Sequence, residues 1–125
     1  MAAEPIKRVE FATKLESTEL NGYAFRLEHS LHVYLGEHDQ IKWSALALKL
    51  TSLPTCMSSP IVRQVDGDMD HVHFIAKRLA LLAPDTQVVF STDLTYRDDQ
   101  VLWNELLSAV VRELRANNLL PPSKS

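Results

Sequence analysis

Apolar and polar residues alternate along the first half of the chain. In the first such segment Val9, Phe11, Thr13 and Leu15 fall on one side, and the residues between them are mostly charged. A period of two is typical of a half-buried β-strand. The same alternation predicts five strands in this half of the chain, at residues 6–16, 23–28, 31–36, 43–50 and 61–65.

Two of these segments allow a second interpretation. Asn21-Gly22 favours a tight hairpin turn between the first two strands, although it also fits a bulge inside one longer strand. Residues 43–50 contain Ala, Leu and Lys, which favour a helix. We prefer a strand there, because hairpin-like connections precede it.

Near residue 69 the spacing of apolar residues changes from every second position to the three- and four-residue spacing of a helix. Apolar positions predict a helix over 69–83 with Asp68 as its N-cap and Pro84 at its end. Residues 87–92 then form a nearly continuous apolar run, which is typical of a central strand. Thr95-x-x-Asp98 resembles a capping box and predicts a second helix over 98–116.

These elements predict an α+β domain. Strands joined by short turns favour an antiparallel sheet of about six strands, with two helices packed on it. The predicted order is a run of strands, then helix, strand, helix. We expect a flexible leader at 1–5, a single domain at 6–118 and a flexible tail at 119–125.

Composition and charge exclude several classes of protein. The 125 residues are 46% hydrophobic and 23% charged, which fits a globular domain rather than a disordered chain. The net charge of −3 and the absence of a basic stripe argue against a nucleic-acid partner. No apolar run is long enough to span a membrane, and the first residues lack a signal peptide's apolar region. Cys56 is the single cysteine, so we expect a reducing compartment, the cytoplasm and possibly the nucleus.

The chain contains residue types found in metal sites and active sites, but they lack the spacing that such sites require. The segment from Asp66 to His73 begins like a calcium loop, but His71 stands where glycine is required and Lys77 where glutamate is required. The three glycines form no phosphate-binding loop, and Cys56 lies in a Ser/Thr/Pro-bounded loop without base–nucleophile spacing to a histidine. The sequence therefore predicts no catalytic residue, cofactor or metal, and a protein that is not an enzyme.

Both predicted helices carry more apolar surface than one packing face needs. Phe74 and Leu81 lie off the main stripe of the first helix, and the second helix has an apolar arc of roughly 200°. We expect the surplus to meet another chain, as in a dimer or an adaptor. The alternative is burial on two sides within the monomer. The predicted interface residues are Phe74, Leu81, Trp103, Leu107 and Val111.

Four strings of residues, in this order and spacing, resemble the proteasome assembly chaperone family, over about residues 7–117. They are Arg26-Leu27-x-x-Ser30-Leu31-x-x-Tyr34-Leu35-Gly36, Ser52-Leu53-Pro54, Ala76-Lys77-Arg78-Leu79-Ala80 and Gln87-Val88-Val89-Phe90-Ser91-Thr92-Asp93-Leu94. The resemblance implies a small sheet flanked by two helices. It also implies a heterodimer with proteasome assembly chaperone 3, or a homodimer, that binds proteasome α subunits, the fifth in particular. Such a dimer assists α-ring formation in the 20S core particle without catalysis.

The chain departs from the family pattern in its acidic loop and its last seven residues. Asp66, Asp68 and Asp70 could steer the protein toward a basic patch on an α subunit, because complementary charge raises association rates. Two other functions remain open at this point. One is a dimeric roadblock- or longin-like scaffold in membrane traffic or GTPase complexes; the longin type places a helix between early strands. The other is a metal-dependent enzyme built on the Asp/His cluster.

Overall fold

The computed structural model describes residues 8–122. The predicted leader and residues 123–125 of the predicted tail lie outside this range. The elements, in chain order, are β1 (Arg8–Leu15), β2 (Thr18–Arg26), β3 (Ser30–Gly36), β4 (Trp43–Leu48), β5 (Met57–Arg63), α1 (Asp70–Leu82), β6 (Gln87–Thr92) and α2 (Gln100–Ala116).

The fold is α+β, with six strands in one sheet in the order β1-β2-β3-β6-β4-β5. The sheet is mixed, which corrects the prediction of an antiparallel sheet. The strand β6 pairs in parallel with β3 and antiparallel with β4. The reason is the crossover through α1, which inserts β6 between β3 and β4. Short connections along the sequence cannot reveal such an insertion.

The first hairpin turns at Glu16 and Ser17, not at Asn21-Gly22. Glu16 has a φ of 58°, and Asn21 pairs with Ala12 inside a longer β2 whose register is unbroken. Gly22 is favoured there for a different reason, because a Cβ atom would lie 2.9 Å from the Tyr34 carbonyl oxygen and would also displace the ring of Phe11 on the neighbouring strand.

Both predicted helix starts are shifted. The N-cap of α1 is Met69, without a side-chain hydrogen bond, and the Asp68 carboxylate instead accepts the amide hydrogen of Asp70 at 2.8 Å. The N-cap of α2 is Asp99, whose carboxylate accepts from the amide of Leu102 at 3.1 Å. A side chain that accepts from an amide three residues ahead satisfies a free donor of the first turn.

Both helices cover the same face of the sheet. On that face Val9, Ala24, Val33, Phe90 and Ala45 follow one another across paired strands, and all are buried. The helix α1 packs on β4, β6 and β5, while α2 contacts β1 and α1. The chain past α2 belongs to the same core, because Leu119 and Leu120 are buried. The packed core therefore continues two residues past the boundary predicted at 118.

Candidate interaction surface

The sheet face opposite the helices is covered by no element among residues 8–122. We call it the open face and define it by two rows of paired residues. The first row crosses the sheet through Phe25, His32, Val89, Leu46 and Ser59. The second row runs through Tyr23, Tyr34, Ser91, Ser44 and Val62. Its three central residues, Tyr34, Ser91 and Ser44, are buried, and the backbone of the loop after β3 lies against Tyr34, so the accessible part of the open face is mainly the first row. Leu48 and its partner Met57 extend the open face at one end.

The central strands bring no charge to this face. The open-face residues of β3, β6 and β4 include no Asp, Glu, Lys or Arg. A sheet face that remains in water normally alternates to polar and charged side chains. Here Phe25, Val89 and Leu46 are half-buried and Met57 is exposed. An uncharged apolar face of this kind is typical of a protein–protein contact.

Aromatic rings stiffen one half of the open face. The rings of Phe25 and His32 stack with centroids 4.7 Å apart and an interplanar angle of 8°. Tyr23 stacks on Tyr34 with centroids 5.1 Å apart. Burial lowers the pKa of His32, so its ring is neutral near pH 7. Rigid rings lose little conformational entropy when another surface packs on them.

Charged groups lie at the β1 rim. The guanidinium of Arg8 lies 4.0 Å from the centroid of the Tyr23 ring and forms an exposed ion pair with Glu10. An apolar centre with a charged rim is the usual anatomy of an interface.

A buried carboxylate holds the loop beside the open face. Asp93 is 6% exposed and accepts the Tyr34 hydroxyl at 3.2 Å. The same carboxylate accepts the amide hydrogens of Glu37 and His38, each at 2.8 Å. Burial, followed by the negative charge of Asp93, raises the pKa of Tyr34 well above its usual value. This network fixes the loop between β3 and β4, and Gly36 leaves it room, because a Cβ there would collide with Tyr34 and Asp93.

The five residues that the sequence assigns to an interface lie mostly inside the monomer. Trp103 and Val111 are buried, and Phe74 and Leu107 are half-buried against the core. Leu81 alone of the five is strongly exposed, at 46%. Their part in an interface stays a prediction, and the monomer itself already covers much of the apolar arc of α2.

The predicted steering loop is exposed. Asp66, Asp68 and Asp70 all lie at the surface before α1 or at its first turn. Asp68 and Asp70 line an open groove beside β5, and Asp70 also lines a second cavity together with Phe74 and Trp103. The structure thus brings residues from both predicted sets to one place.

Residues 8–122 contain few side chains placed for metal binding or catalysis. This part of the chain holds no group of three or more His, Cys, Asp or Glu side chains placed to bind a metal ion. The thiol of Cys56 is half-buried and lies 3.8 Å from the Lys77 carbonyl oxygen. Within the same range, no helix combines the length and the apolar character needed to cross a membrane.

The sequence interpretation placed a predicted interface on the helices and did not identify the open face. A signal was present, because β4 and β6 are apolar on both faces: Ala45 and Ala47 point to the helices while Leu46 and Val89 point away. Both helices lie on one face of the six-stranded sheet, so a second apolar face has no helix to cover it within residues 8–122.

Comparison with known proteins identifies the fold. No protein-family model matches the chain, and no curated protein sequence matches it significantly. The structure resembles a chain of a crystal structure described as a novel chaperone complex for yeast 20S proteasome assembly. The TM-score is 0.66 over 89% of this chain and 96% of that one, at 10% identity. At that identity the likeness is one of fold.

Proposed function

We propose that this protein is a non-catalytic chaperone that assists assembly of the 20S proteasome core particle. The observation that carries the proposal is the fold, which matches a chain of the yeast assembly-chaperone complex over nearly the full length of both chains. The four sequence strings that resemble the assembly-chaperone family support it independently. Among the members of that family, we propose a role like that of proteasome assembly chaperone 4.

The open face would serve as the dimer interface. Its occupant is a second subunit of the same fold, either proteasome assembly chaperone 3 or another copy of this chain. Support comes from charge, because two sheet faces whose central strands carry no charged side chains can pack about 10 Å apart as in a sandwich. Such pairing would bury Phe25, Val89 and Leu46 from both sides and leave the charged β1 rim in water.

The client would be a proteasome α subunit, the fifth in particular, held during α-ring formation in the cytoplasm or the nucleus. Holding a subunit in register and excluding wrong neighbours is a matter of differential affinity and needs no catalytic group. The longin-type form of the scaffold alternative gains no support, because five strands precede α1 whereas a longin-type domain has a helix among its early strands.

Reconstitution tests this proposal. The chain is purified alone, with proteasome assembly chaperone 3, and with both chaperone 3 and the fifth α subunit, and each mixture is measured by size-exclusion chromatography with light scattering. We expect a 1:1 chaperone dimer that retains the α subunit, with another α subunit as the specificity control. A chain that stays monomeric and retains no α subunit contradicts the proposal.

A further inference from the structure

Thr95 lies in the irregular segment that connects β6 to α2. Its spacing to Asp98 predicts a capping box, but the residue that caps α2 is Asp99. The Thr95 side chain is exposed, as are Arg97 and Asp98 after it, and this stretch belongs to no helix or strand. The fold therefore leaves a threonine hydroxyl at the surface without the capping role that its position in the sequence predicts.

Acidic residues follow this hydroxyl at a fixed spacing. Asp98 and Asp99 stand three and four positions after Thr95. One class of Ser/Thr protein kinases selects a hydroxyl with an acidic residue three positions later, because its substrate groove is basic and complementary charge favours binding. The same spacing occurs once more in the chain, between Thr13 and Glu16, but Thr13 is half-buried within β1. Thr95 is therefore the accessible one of the two matches.

A cavity of about 210 Å³ lies beside Thr95. At roughly 30 Å³ per liquid water molecule, it has space for about seven waters, which is more than the four heavy atoms of a phosphoryl group need. Charged and titratable groups on its wall are His38, Lys42, Arg97, Glu37 and Asp93. A phosphate on Thr95 would thus have basic side chains within the same cavity.

Lys42 is the cation on this wall that has no anionic partner. Its backbone is fixed opposite the end of β6, because its amide donates to the Thr92 carbonyl oxygen at 3.1 Å and its own carbonyl accepts from the Gln64 amide at 2.8 Å. The side chain is half-buried, and no ion pair to it occurs in residues 8–122. A partly desolvated ammonium group gains strongly from a charged acceptor such as phosphate.

The two carboxylates on the wall already have partners. Asp93 accepts the amide hydrogens of Glu37 and His38, and the Glu37 carboxylate lies 3.6 Å from Nε2 of His38. Arg97 is paired with Glu16 at 2.9 Å, but the two side chains are 45% and 64% exposed. Exposed ion pairs are weak, so the guanidinium can exchange this carboxylate for a phosphate dianion.

We propose that Thr95 is phosphorylated by an acid-directed Ser/Thr kinase and that its phosphate docks in this cavity against Lys42. In the reaction the Thr95 Oγ attacks the γ-phosphorus of ATP, and the bond to the bridging oxygen breaks. ADP leaves, and the hydroxyl proton passes to the catalytic base of the kinase. The product carries about −1.5 to −2 charges near pH 7 and three acceptor oxygens. It would tie the segment after β6 to the residue directly before β4. The proposal does not depend on the proposed function.

The first arm of the test asks whether the folded chain is a substrate. The chain is incubated with ATP, Mg²⁺ and casein kinase II, and fragment mass spectrometry locates the phosphate. We expect nearly complete modification at Thr95 and none at Thr13. Asp98→Asn should reduce the rate at least tenfold, whereas Glu28→Gln/Glu105→Gln, which removes two exposed charges elsewhere, should not. A peptide of residues 91–102 shows that the kinase is active. A folded chain that stays unmodified at Thr95 overturns the proposal.

The second arm tests docking on the phosphorylated chain. Phosphorus NMR at different pH values gives the second pKa of the phosphothreonine, which is about 6 without a partner. We expect it about half a unit or more lower, because a nearby ammonium favours the dianion. Lys42→Gln should restore the ordinary value, and Lys42→Arg, which keeps the charge, should not.

Lys14→Gln, at an exposed site on β1, is the matched control for this arm and should leave the pKa of the phosphate unchanged. Circular dichroism checks that each variant is folded. A phosphate pKa that is the same in the wild-type chain and in folded Lys42→Gln overturns the docking against Lys42.

Discussion

The carboxylate of Asp93, just after β6, accepts the hydroxyl hydrogen of Tyr34 on the neighbouring β3 at 3.2 Å. The Tyr34 oxygen in turn accepts the amide hydrogen of Gln40 at 3.0 Å. Together with the amides of Glu37 and His38, these bonds connect the end of a central strand to the loop between β3 and β4. One buried carboxylate therefore holds the backbone beside the open face.

Replacing Asp93 should destabilise the protein clearly. Asp93→Ala leaves three buried or half-buried donors without their acceptor, so we expect a loss of about 2–3 kcal/mol in the free energy of unfolding. Tyr34→Phe removes one hydroxyl and should cost about 1 kcal/mol. Urea denaturation measures both. Asp66→Asn, at an exposed site, is the control, and an Asp93→Ala midpoint equal to that of the control contradicts the structural role.

The open face and the helix surface can be separated by two identical substitutions. Leu46→Lys places a charge in the middle of the open face, and Leu81→Lys places it on exposed α1. If the open face is the dimer interface, we expect Leu46→Lys to raise the dissociation constant of the dimer by about tenfold or more, because a buried unpaired charge is costly. Sedimentation equilibrium or light scattering measures this, and circular dichroism checks the fold. Loss of the dimer with Leu81→Lys alone would favour the helix surface instead.

Stability should fall as the pH drops through the titration range of histidine. Burial lowers the pKa of His71 below its ordinary 6.5, although the Leu94 carbonyl opposes this change. The unfolded chain therefore takes up a proton at a higher pH than the folded chain. Stability is fully present well above pH 6.5 and is lost as the pH falls toward the lower folded pKa. The loss is about 1.4 kcal/mol for every tenfold difference in proton affinity between the unfolded and folded states.

Urea denaturation at about pH 7.5 and about pH 5.5 measures this loss. Burial also lowers the pKa of His32 and His73, so they contribute in the same direction. His71→Gln should reduce the difference between the two pH values, whereas His29→Gln, at an exposed site, should not. Equal pH dependence in wild type and His71→Gln would show that His71 is not the group responsible.

The acidic loop should affect how fast a client binds rather than how tightly the complex holds. Asp66→Asn/Asp68→Asn removes two exposed charges and preserves the oxygen that accepts from the Asp70 amide. We expect a several-fold slower association with the α subunit at low salt and little difference at high salt, where steering is screened. Stopped-flow binding measures the rate. An association rate equal to that of Glu28→Gln/Glu105→Gln at low salt rejects steering by this loop.

The sequence predicted elements better than it predicted their arrangement. The continuous apolar run of 87–92 indicated a central strand, and β6 is central, because a strand buried on both faces shows no alternation. The same pattern could not show that β6 pairs in parallel with β3. Pairing across the sheet depends on the path of the crossover connection. The residue pattern within a single segment does not show that path.

The interface was predicted on the helices because helical periodicity can be counted within one segment. The helix α2 does carry a broad apolar arc, but Trp103 and Val111 within that arc are buried in the monomer. The open face instead depends on Phe25, Val89 and Leu46, which lie on three different segments and become neighbours only through strand register. The open face can therefore be recognised only once the order of the strands is known.

The position of β6 has a consequence for biosynthesis. Within the described chain, β1–β3 and β4–β5 share no strand pairing of their own, and β6 alone joins them. A nascent chain that has emerged only as far as α1 holds one three-stranded unit, β1–β3, and one hairpin, β4–β5, each with an unpaired inner edge of the kind that aggregates. Emergence of residues 87–92 closes both edges and assembles the face that the partner would recognise. A subunit that binds through this face can thus pair only after β6 has joined the two parts of its sheet.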